Sequence, residues 1–322
     1  MSLQADILVD RRRLKRRLAF WRLAAIALVL GLITVLVFQV DELAIAAGLR
    51  PHIARVNVTG IIQDDREQQE LLRDLAKNDQ VKAIILSINS PGGTTTGGES
   101  LYEAILEATE KKPVVAVFGT MATSAAYLIA LASDHIVARA NTITGSVGVI
   151  FQWAEVTELM KTIGVKVEEI KSGKLKATPS PFQPLDEAGK KLTEEMVQES
   201  QAWFLGLVAE RRALTPETVP GLKDGRIFSG RRAAELKLID QVGGEQTAIK
   251  WLEKERSIEP DLKIIDWEPA EDDGLGLSSS LARALARASG LAPQFVQTLL
   301  FGRGQNSVQL DGLVSLWHPS AE

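Results

Sequence analysis

Short apolar, β-branched runs alternate with polar helical patterns along the chain from about His52 onwards. The runs IARVNVTGII, VKAIILSI and PVVAVF are separated by stretches with helical periodicity near 64–78 and 98–111. Strands that alternate with helices in this way form parallel sheets connected by crossover helices. The pattern therefore predicts an α/β fold with a parallel sheet.

The run VKAIILSI is apolar on both faces, which is typical of a central strand in a parallel sheet. We expect this strand to end in a glycine turn at Asn89–Gly93, a typical place for a binding or active site. An apolar, small-residue helix is predicted to begin at Thr123 and Ser124 and to run to about Ala132. A long amphipathic helix is predicted over about 185–213, before further short elements and a domain end near Trp267.

Residues 23–40, LAAIALVLGLITVLVFQV, form an uncharged apolar run. At about 1.5 Å rise per residue, a helix over this run just crosses a hydrocarbon core of about 30 Å. Basic residues cluster before the run, between Arg11 and Arg22, and Asp41 and Glu42 follow it. This asymmetry predicts a cytoplasmic N-terminus and a globular part on the non-cytoplasmic side of a bacterial-type inner membrane. A cleaved signal peptide and a buried core helix are the alternatives.

Four segments follow from these patterns. Residues 1–22 are a cytoplasmic basic segment, 23–40 a transmembrane anchor, 41–267 the globular domain, and 268–322 a linker with a C-terminal amphipathic segment. The helical pattern in LARALARASGLAPQFVQTLL is expected to dock on its own or a neighbouring subunit, with membrane-surface contact as the alternative.

Composition excludes several classes of function. The chain has no cysteine, so disulfide frameworks, thiol nucleophiles and iron–sulfur clusters are ruled out. Its 3 histidines are far apart in sequence, which argues against a histidine metal centre, and we expect no metal and no cofactor. A net charge of −4, with basic residues clustered only in one short stretch near the N-terminus, argues against a nucleic-acid partner. No HExxH, GxSxG, SxxK or Walker motif occurs in the sequence.

Four other segments carry the chemical signal: SPGG (90–93), GTMATSAAYLIALASDHIVA (119–138), TGSVGV (144–149) and KSGKLKATPSP (171–181). In this order and spacing the chain resembles the signal peptide peptidase A family of membrane-anchored serine peptidases, over roughly 55–244. The resemblance implies a ClpP/crotonase-like fold and a Ser-Lys catalytic pair without histidine. It also implies a homo-oligomer in which lysine and serine meet across a subunit interface.

The resemblance assigns a role to each matching position. Ser124 falls at the nucleophile, Lys176 at the general base, Ser146 at the residue that orients the lysine, and Gly93 at the oxyanion hole. The residue chemistry is compatible with these roles. A lysine serves as base only when burial lowers its pKa from about 10.4, and the side-chain-free backbone of Gly92 and Gly93 can approach an oxyanion closely.

Each position also has a structural explanation. Ser124 would then be a helix N-cap, Ser146 and the two glycines would serve turns, and the lysine would be exposed. Lys171 and Lys174 compete with Lys176 as the base. His135 could pair with Ser124, but Asp134 would point to the other face of the strand and could not orient it.

The sequence departs from the family at one point, where Ala125-Ala126 stand in place of Gly-Gly. The added methyl groups leave the width of the substrate pocket open, and a narrower pocket would fit small side chains. The predicted activity is the cleavage of hydrophobic peptides, such as signal-peptide remnants, on the non-cytoplasmic side. A crotonase-type acyl-thioester enzyme and an inactive, anchored peptide-binding scaffold are the alternatives.

Overall fold

A mixed sheet flanked by helices forms the domain. The computed structural model of the chain describes residue 21, residues 48–269 and the backbone of 314–316. The strands are β1 (His52–Ile62), β2 (Val81–Thr94), β3 (Val114–Thr123), β4 (His135–Ala138), β5 (Ile143–Gly145), β6 (Ile227–Ser229), β7 (Gln241–Val242), β8 (Ile264–Trp267) and β9 (Val314–Leu316). The helices are α1 (Arg66–Lys77), α2 (Thr95–Thr109), α3 (Ala125–Ala130), α4 (Thr157–Thr162), α5 (Glu187–Arg212), α6 (Gly230–Glu235) and α7 (Glu245–Glu255).

The sheet has the strand order β6-β5-β3-β2-β1-β8, and most of its pairings are parallel. Strand β4 also pairs with β3 in parallel, alongside the first half of β3, and β7 extends the sheet beyond β4. Two pairings are antiparallel, that of β6 with β5 and that of β9 with β2. The predicted α/β class with a parallel sheet and helices is confirmed.

Strand β2 is the centre of the core. Ile84, Ile85, Leu86 and Ile88 are completely buried, as its run of apolar residues on both faces predicted. Because successive side chains of a strand point to opposite faces, Ile84 and Leu86 join the larger core with α1, α2 and α3, whereas Ile85 packs towards α7. Helices therefore cover both faces of the sheet.

One predicted boundary is wrong. Strand β2 does not end before the SPGG segment but continues through it to Thr94. The extension is possible because Gly92 and Gly93 pair with Ile61 and Ile62 of β1. Strand β1 also continues past the register shift between Thr59 and Ile61. The two strands thus project together beyond the rest of the sheet.

Helix α2 begins directly where β2 ends. Thr94 is the last residue of the strand and also the N-cap of the helix, with its hydroxyl accepting a hydrogen bond of 3.0 Å from the amide of Gly97. The strand-to-helix connection therefore contains no loop, and the position of the glycine segment is fixed by the elements on both sides of it.

The predicted anchor at 23–40 and the predicted amphipathic segment after residue 280 lie outside the described residues. Among the helices of the described part of the chain, none is long and apolar enough to span a bilayer.

Helix α3 is held to the rest of the core by a buried hydrogen bond, which gives a test of the fold. The Tyr127 hydroxyl donates to the carbonyl of Leu238 at 2.8 Å, and burial raises the pKa of this hydroxyl, so it stays protonated as a donor. We expect Tyr127→Phe to lower the free energy of unfolding by about 1–3 kcal/mol, because the Leu238 carbonyl is left without its partner. Urea denaturation measures this loss.

Tyr102→Phe is the matched control. Tyr102 is also buried in the core, but its hydroxyl makes no hydrogen bond within the described residues. Its loss should change stability by less than about 0.5 kcal/mol. Equal losses in the two variants would contradict the role given to the Tyr127 hydroxyl.

Candidate active site

Ser124 lies at the junction between a strand and a helix. Strand β3 ends at Thr123 and helix α3 begins at Ala125, and Ser124 between them has φ 59° and ψ −122°. A non-glycine residue in such a conformation is strained by about 1–3 kcal/mol and persists only when its surroundings fix it. The Ser124 amide donates to the Gly145 carbonyl at 2.8 Å, and the Ser124 carbonyl accepts from the Leu128 amide at 2.9 Å. The backbone is therefore held on both sides.

The hydroxyl of Ser124 does not cap the helix. An N-cap serine normally accepts a hydrogen bond from an amide of the first turn, but Ser124 makes no such side-chain bond. Its Oγ instead lies 3.5 Å from the carbonyl oxygen of Gly148, and the residue is only 1% exposed. Capping therefore does not explain why a serine occupies this position.

Three polar side chains fix the strand ends around Ser124. The Thr123 hydroxyl donates to the Pro91 carbonyl at 3.0 Å, and the Thr144 hydroxyl donates to the Ala122 carbonyl at 2.8 Å. The Asn89 side-chain oxygen accepts from two successive amides of β3 beside a register shift. Sequence reasoning missed these contacts and wrongly placed Thr123 at the start of the helix instead of the end of β3, since polar side chains at strand ends follow no periodic pattern. Their only sequence signal is their position next to the SPGG and Ser124 segments.

The two glycines of the SPGG segment have different surroundings. Gly92 has φ 115°, a conformation that favours glycine, and its amide donates to Ser90 Oγ at 3.1 Å. A Cβ on Gly93 would lie 1.8 Å from the carbonyl oxygen of Ile62, so a side chain cannot fit. Backbone conformation at Gly92 and packing at Gly93 thus each favour glycine, whatever the catalytic role of these residues. Because the Gly92 amide is already engaged, Gly93 is the better candidate for an oxyanion donor.

Ser146 lies next to Ser124 because of the sheet pairing. It follows β5 directly, has φ 54°, and its amide donates to the Arg226 carbonyl at 2.9 Å. Gly145, the preceding residue, pairs with Thr123 and accepts the hydrogen bond from the Ser124 amide. The two serines are therefore held on adjacent strand ends.

Ala125 and Ala126, which replace the glycines of the family pattern, are both fully buried in the core. The methyl group of Ala125 faces Gly98 of α2, where a Cβ added to the glycine would lie only 3.2 Å away. The Ala125 methyl thus packs between helices α3 and α2.

The candidate base is not brought to the nucleophile within one chain. Residues 150–182, here called the arm, carry Lys176, which is exposed and whose amide donates to the Gly173 carbonyl. Within the described part of the chain, no hydrogen bond joins Lys176 to Ser124. Lys171 forms an ion pair of 2.7 Å with Glu169, whereas Lys174 is exposed like Lys176. Because its amine is already engaged by Glu169, Lys171 is the weaker candidate for the base.

His135 lies at the opposite end of β3 from Ser124, since its strand pairs with Val115. Its ring stacks on Trp251 with 4.6 Å between centroids, and burial lowers its pKa. Asp134, which the sequence analysis rejected as an orienting partner of His135, accepts from the Val114 amide and from Arg256. This geometry provides no Ser124–His135 pair. Among residues 48–269, no group of histidine, aspartate and glutamate side chains is arranged to hold a metal ion.

The contact between Gly93 and Ile62 can be tested directly. We expect Gly93→Ala to destabilise the domain at the upper end of the roughly 1–3 kcal/mol typical of overpacking, because the backbone of β1 must move. The measurement is the free energy of unfolding in urea.

Gly206→Ala is the control for this substitution. No atom lies within 4 Å of the added Cβ in the middle of helix α5. Alanine is the better helix former, so this variant should gain about 0.5–1 kcal/mol. A Gly93→Ala variant as stable as the native chain would show that the close approach is not rigid.

Comparison with known proteins gives a consistent assignment. Residues 107–259 match the model of peptidase family S49. A putative protease of Methanocaldococcus jannaschii is 36% identical over 71% of this chain and 73% of its own length. A putative protease of Synechocystis is 35% identical over 67% and 79%, and a putative signal peptide peptidase SppA of Enterococcus faecium is 34% identical over 74% and 73%. With relatives of this identity and coverage, the chain belongs to peptidase family S49.

Proposed function

We propose that this chain is a serine endopeptidase in which Ser124 is the nucleophile and Lys176 of a neighbouring copy is the general base. The observation that carries the proposal is the strained, doubly held backbone of Ser124 at a strand–helix junction, with a hydroxyl that does not cap the helix. Sharp strand-to-helix turns of this kind present the nucleophile in other hydrolases. A structural serine would need neither the strain nor the burial.

The proposed reaction has two stages. The Ser124 Oγ forms a bond to the scissile carbonyl carbon while its proton passes to the Lys176 amine. Negative charge develops on the carbonyl oxygen, where the amide of Gly93 donates a hydrogen bond. The C–N bond then breaks, and the protonated lysine gives its proton to the leaving amine. Water cleaves the resulting ester with the same lysine as base, and Ser146 aims the amine throughout.

The surface of the arm supports assembly as the step that completes the site. Helix α4 has no buried residue, and the arm that carries Lys176 has many exposed apolar side chains. The exposed large apolar residues of the arm are Ile150, Trp153, Leu159, Ile163, Val165, Val167, Ile170, Leu175 and Phe182. Large apolar surfaces are rarely left open to water in soluble domains. A second copy that covers the arm would bury Lys176 beside its own Ser124.

The proposed substrates are hydrophobic peptides in extended form, such as signal-peptide remnants. They would add as a strand to the projecting edge of β2, next to Gly93. The apolar run at 23–40 and its basic flank support a membrane anchor with the peptidase domain on the non-cytoplasmic side. An apolar substrate released into the membrane would then reach the site at short range.

Covalent labelling of Ser124 tests the dyad. We expect a serine-directed fluorophosphonate to label Ser124 in the native assembly. Lys176→Ala should slow this labelling about 10²–10⁴-fold, the usual contribution of a general base. The labelled serine is identified by mass spectrometry of the digested protein.

Lys174→Ala is the matched control, since Lys174 is an exposed lysine of the same arm. Fluorophosphonate should label Ser124 of this variant at the native rate. Loss of labelling in Lys174→Ala, with normal labelling of Lys176→Ala, would assign the base to Lys174.

Mixing variants tests whether the dyad forms between subunits. Ser124→Ala and Lys176→Ala are each expected to be inactive, but subunits of the two exchanged in detergent should recover part of the native peptidase activity. In a mixed assembly the intact serine of one copy meets the intact lysine of the other. The readout is hydrolysis of a fluorogenic apolar peptide after exchange.

A mixture of Ser124→Ala and Ser146→Ala provides the control. These serines lie on adjacent strand ends of one chain, so every intact Ser124 remains beside a mutated position 146. The peptidase activity of this mixture should equal that of the two variants measured separately. Equal behaviour of the two mixtures would place Lys176 and Ser124 in the same subunit.

A further inference from the structure

We propose that Ser90 is a positioning residue for the reaction, because its hydroxyl holds the peptide unit that carries the candidate oxyanion donor, the amide of Gly93. The inference rests on the proposed function and deepens it, since it names a side chain that acts on the oxyanion hole through the backbone. Ser90 is the first residue of the SPGG segment, lies in strand β2 and is completely buried.

Two hydrogen bonds join the side chain of Ser90 to Gly92. Its Oγ accepts from the Gly92 amide at 3.1 Å and donates to the Gly92 carbonyl at 3.3 Å. A serine hydroxyl has one proton and two lone pairs, so the Gly92 carbonyl takes the only proton that Ser90 can donate. One buried side chain therefore engages both backbone groups of Gly92.

The bond to the carbonyl also sets the direction of the next amide. The carbonyl of Gly92 and the amide of Gly93 belong to one peptide unit, which is planar and trans. In a trans unit the C=O and N–H bonds point in opposite directions. Because the Gly92 carbonyl is directed at Ser90, the Gly93 amide points away from Ser90 and is left to bind another acceptor.

A peptide unit between two glycines offers little resistance of its own to a flip. Such a flip changes ψ of Gly92 and φ of Gly93, and glycine accepts a wider range of backbone angles than other residues. Gly92 already has φ 115°. A flipped unit would present the Gly92 carbonyl, an acceptor, where the developing oxyanion requires a donor. A group that holds this unit in one orientation therefore contributes to the reaction.

The preceding peptide unit, between Pro91 and Gly92, is held at both ends. The Thr123 hydroxyl donates to the Pro91 carbonyl at 3.0 Å, and the Gly92 amide donates to Ser90 Oγ. The ring of Pro91 also fixes its φ. Thr123 anchors the first unit to the end of β3, whereas Ser90 bonds to both units and so carries this order on to the amide of Gly93.

This role predicts an effect on turnover rather than on substrate binding. The negative charge that the Gly93 amide stabilises develops only after the substrate is bound, so loss of the correct orientation lowers kcat and leaves KM unchanged. If the unit keeps the productive orientation about a tenth of the time without the hydroxyl, kcat falls about tenfold.

Ser90→Ala removes the hydroxyl without adding bulk. We expect kcat per active site for a fluorogenic apolar peptide to fall about tenfold, with KM within about twofold of the native value. Active sites are counted from the end point of fluorophosphonate labelling of Ser124. Unfolded protein lowers that count but not kcat per site, so a loss of stability does not imitate the expected result.

Two variants serve as controls. Ser133→Ala also removes a buried hydroxyl, one that donates to the carbonyl of Ala130 at the last residue of α3. It should lower the urea midpoint of unfolding, as Ser90→Ala should, but keep the native kcat per site. Ser90→Thr retains the hydroxyl, and a β-branched residue suits a strand, so this variant should also keep the native kcat per site.

A peptide aldehyde separates the transition state from the ground state. Ser124 Oγ adds to the aldehyde carbon, and the oxygen of the adduct takes the place of the oxyanion. Its inhibition constant should rise about tenfold in Ser90→Ala and stay at the native value in Ser133→Ala, because transition-state analogues depend on the oxyanion donors and substrates do not.

The outcomes distinguish this inference from the proposed function. A native kcat per site in Ser90→Ala, a rise in KM alone, or an equal loss of kcat in Ser90→Ala and Ser90→Thr would each overturn the positioning role of Ser90, while the peptidase assignment would stand. If the native chain hydrolyses no peptide and fluorophosphonate does not label Ser124, the proposed function is refuted, and this inference with it.

Discussion

The close approach of Gly93 to the backbone of Ile62 is the contact on which the candidate site depends. It lets β1 and β2 stay paired beyond the point at which β3 leaves the ladder. Any side chain at position 93 would collide with the Ile62 carbonyl. Beyond Ser90, β3 no longer pairs with β2, and the edge of β2 on that side pairs with β9 instead. A packing constraint on one glycine thus creates the strand edge to which the proposed function assigns substrate peptides.

Neighbouring groups hold the strained backbone of Ser124 in place. Its positive-φ backbone is held by the Gly145 carbonyl, while hydroxyl groups of Thr123 and Thr144 tie the adjacent strand ends together. None of these side chains is a candidate for the chemistry. Their contribution is to keep the end of β3, the glycine segment and β5 in one arrangement, so that Ser124 and Ser146 are positioned before any substrate binds.

The sequence was most informative where burial and periodicity decide the structure. The two-sided apolar character of 81–88 correctly placed β2 at the centre, and the alternation of strands and helices gave the parallel sheet. The end of β2 was predicted wrongly, because glycine is read as a turn signal unless a partner strand is known to lie close by. Pairing with Ile61 and Ile62 is a tertiary effect that local patterns do not contain.

The same distinction between local patterns and tertiary contacts applies to the residues of the candidate site. Ser124 and the glycines were selected from motifs that resemble a known family. Thr123 and Asn89 act through contacts with distant strands, and their only sequence signal is their position beside those motifs. Position 176 was selected by its spacing in the family pattern. In the proposed assembly its relation to Ser124 depends on a surface between copies, which neither the sequence nor one chain alone contains.

The complete burial of helix α3 has a further consequence for the unfolding of the candidate site. All of its residues, from Ala125 to Ala130, are inaccessible to water, and they join the core that also contains β2 and α5. From this burial we expect opening of the backbone next to Ser124 to cost a free energy close to that of global unfolding. The candidate nucleophile thereby has the resistance to local unfolding expected of the domain core. Active sites carried on mobile loops lack this resistance.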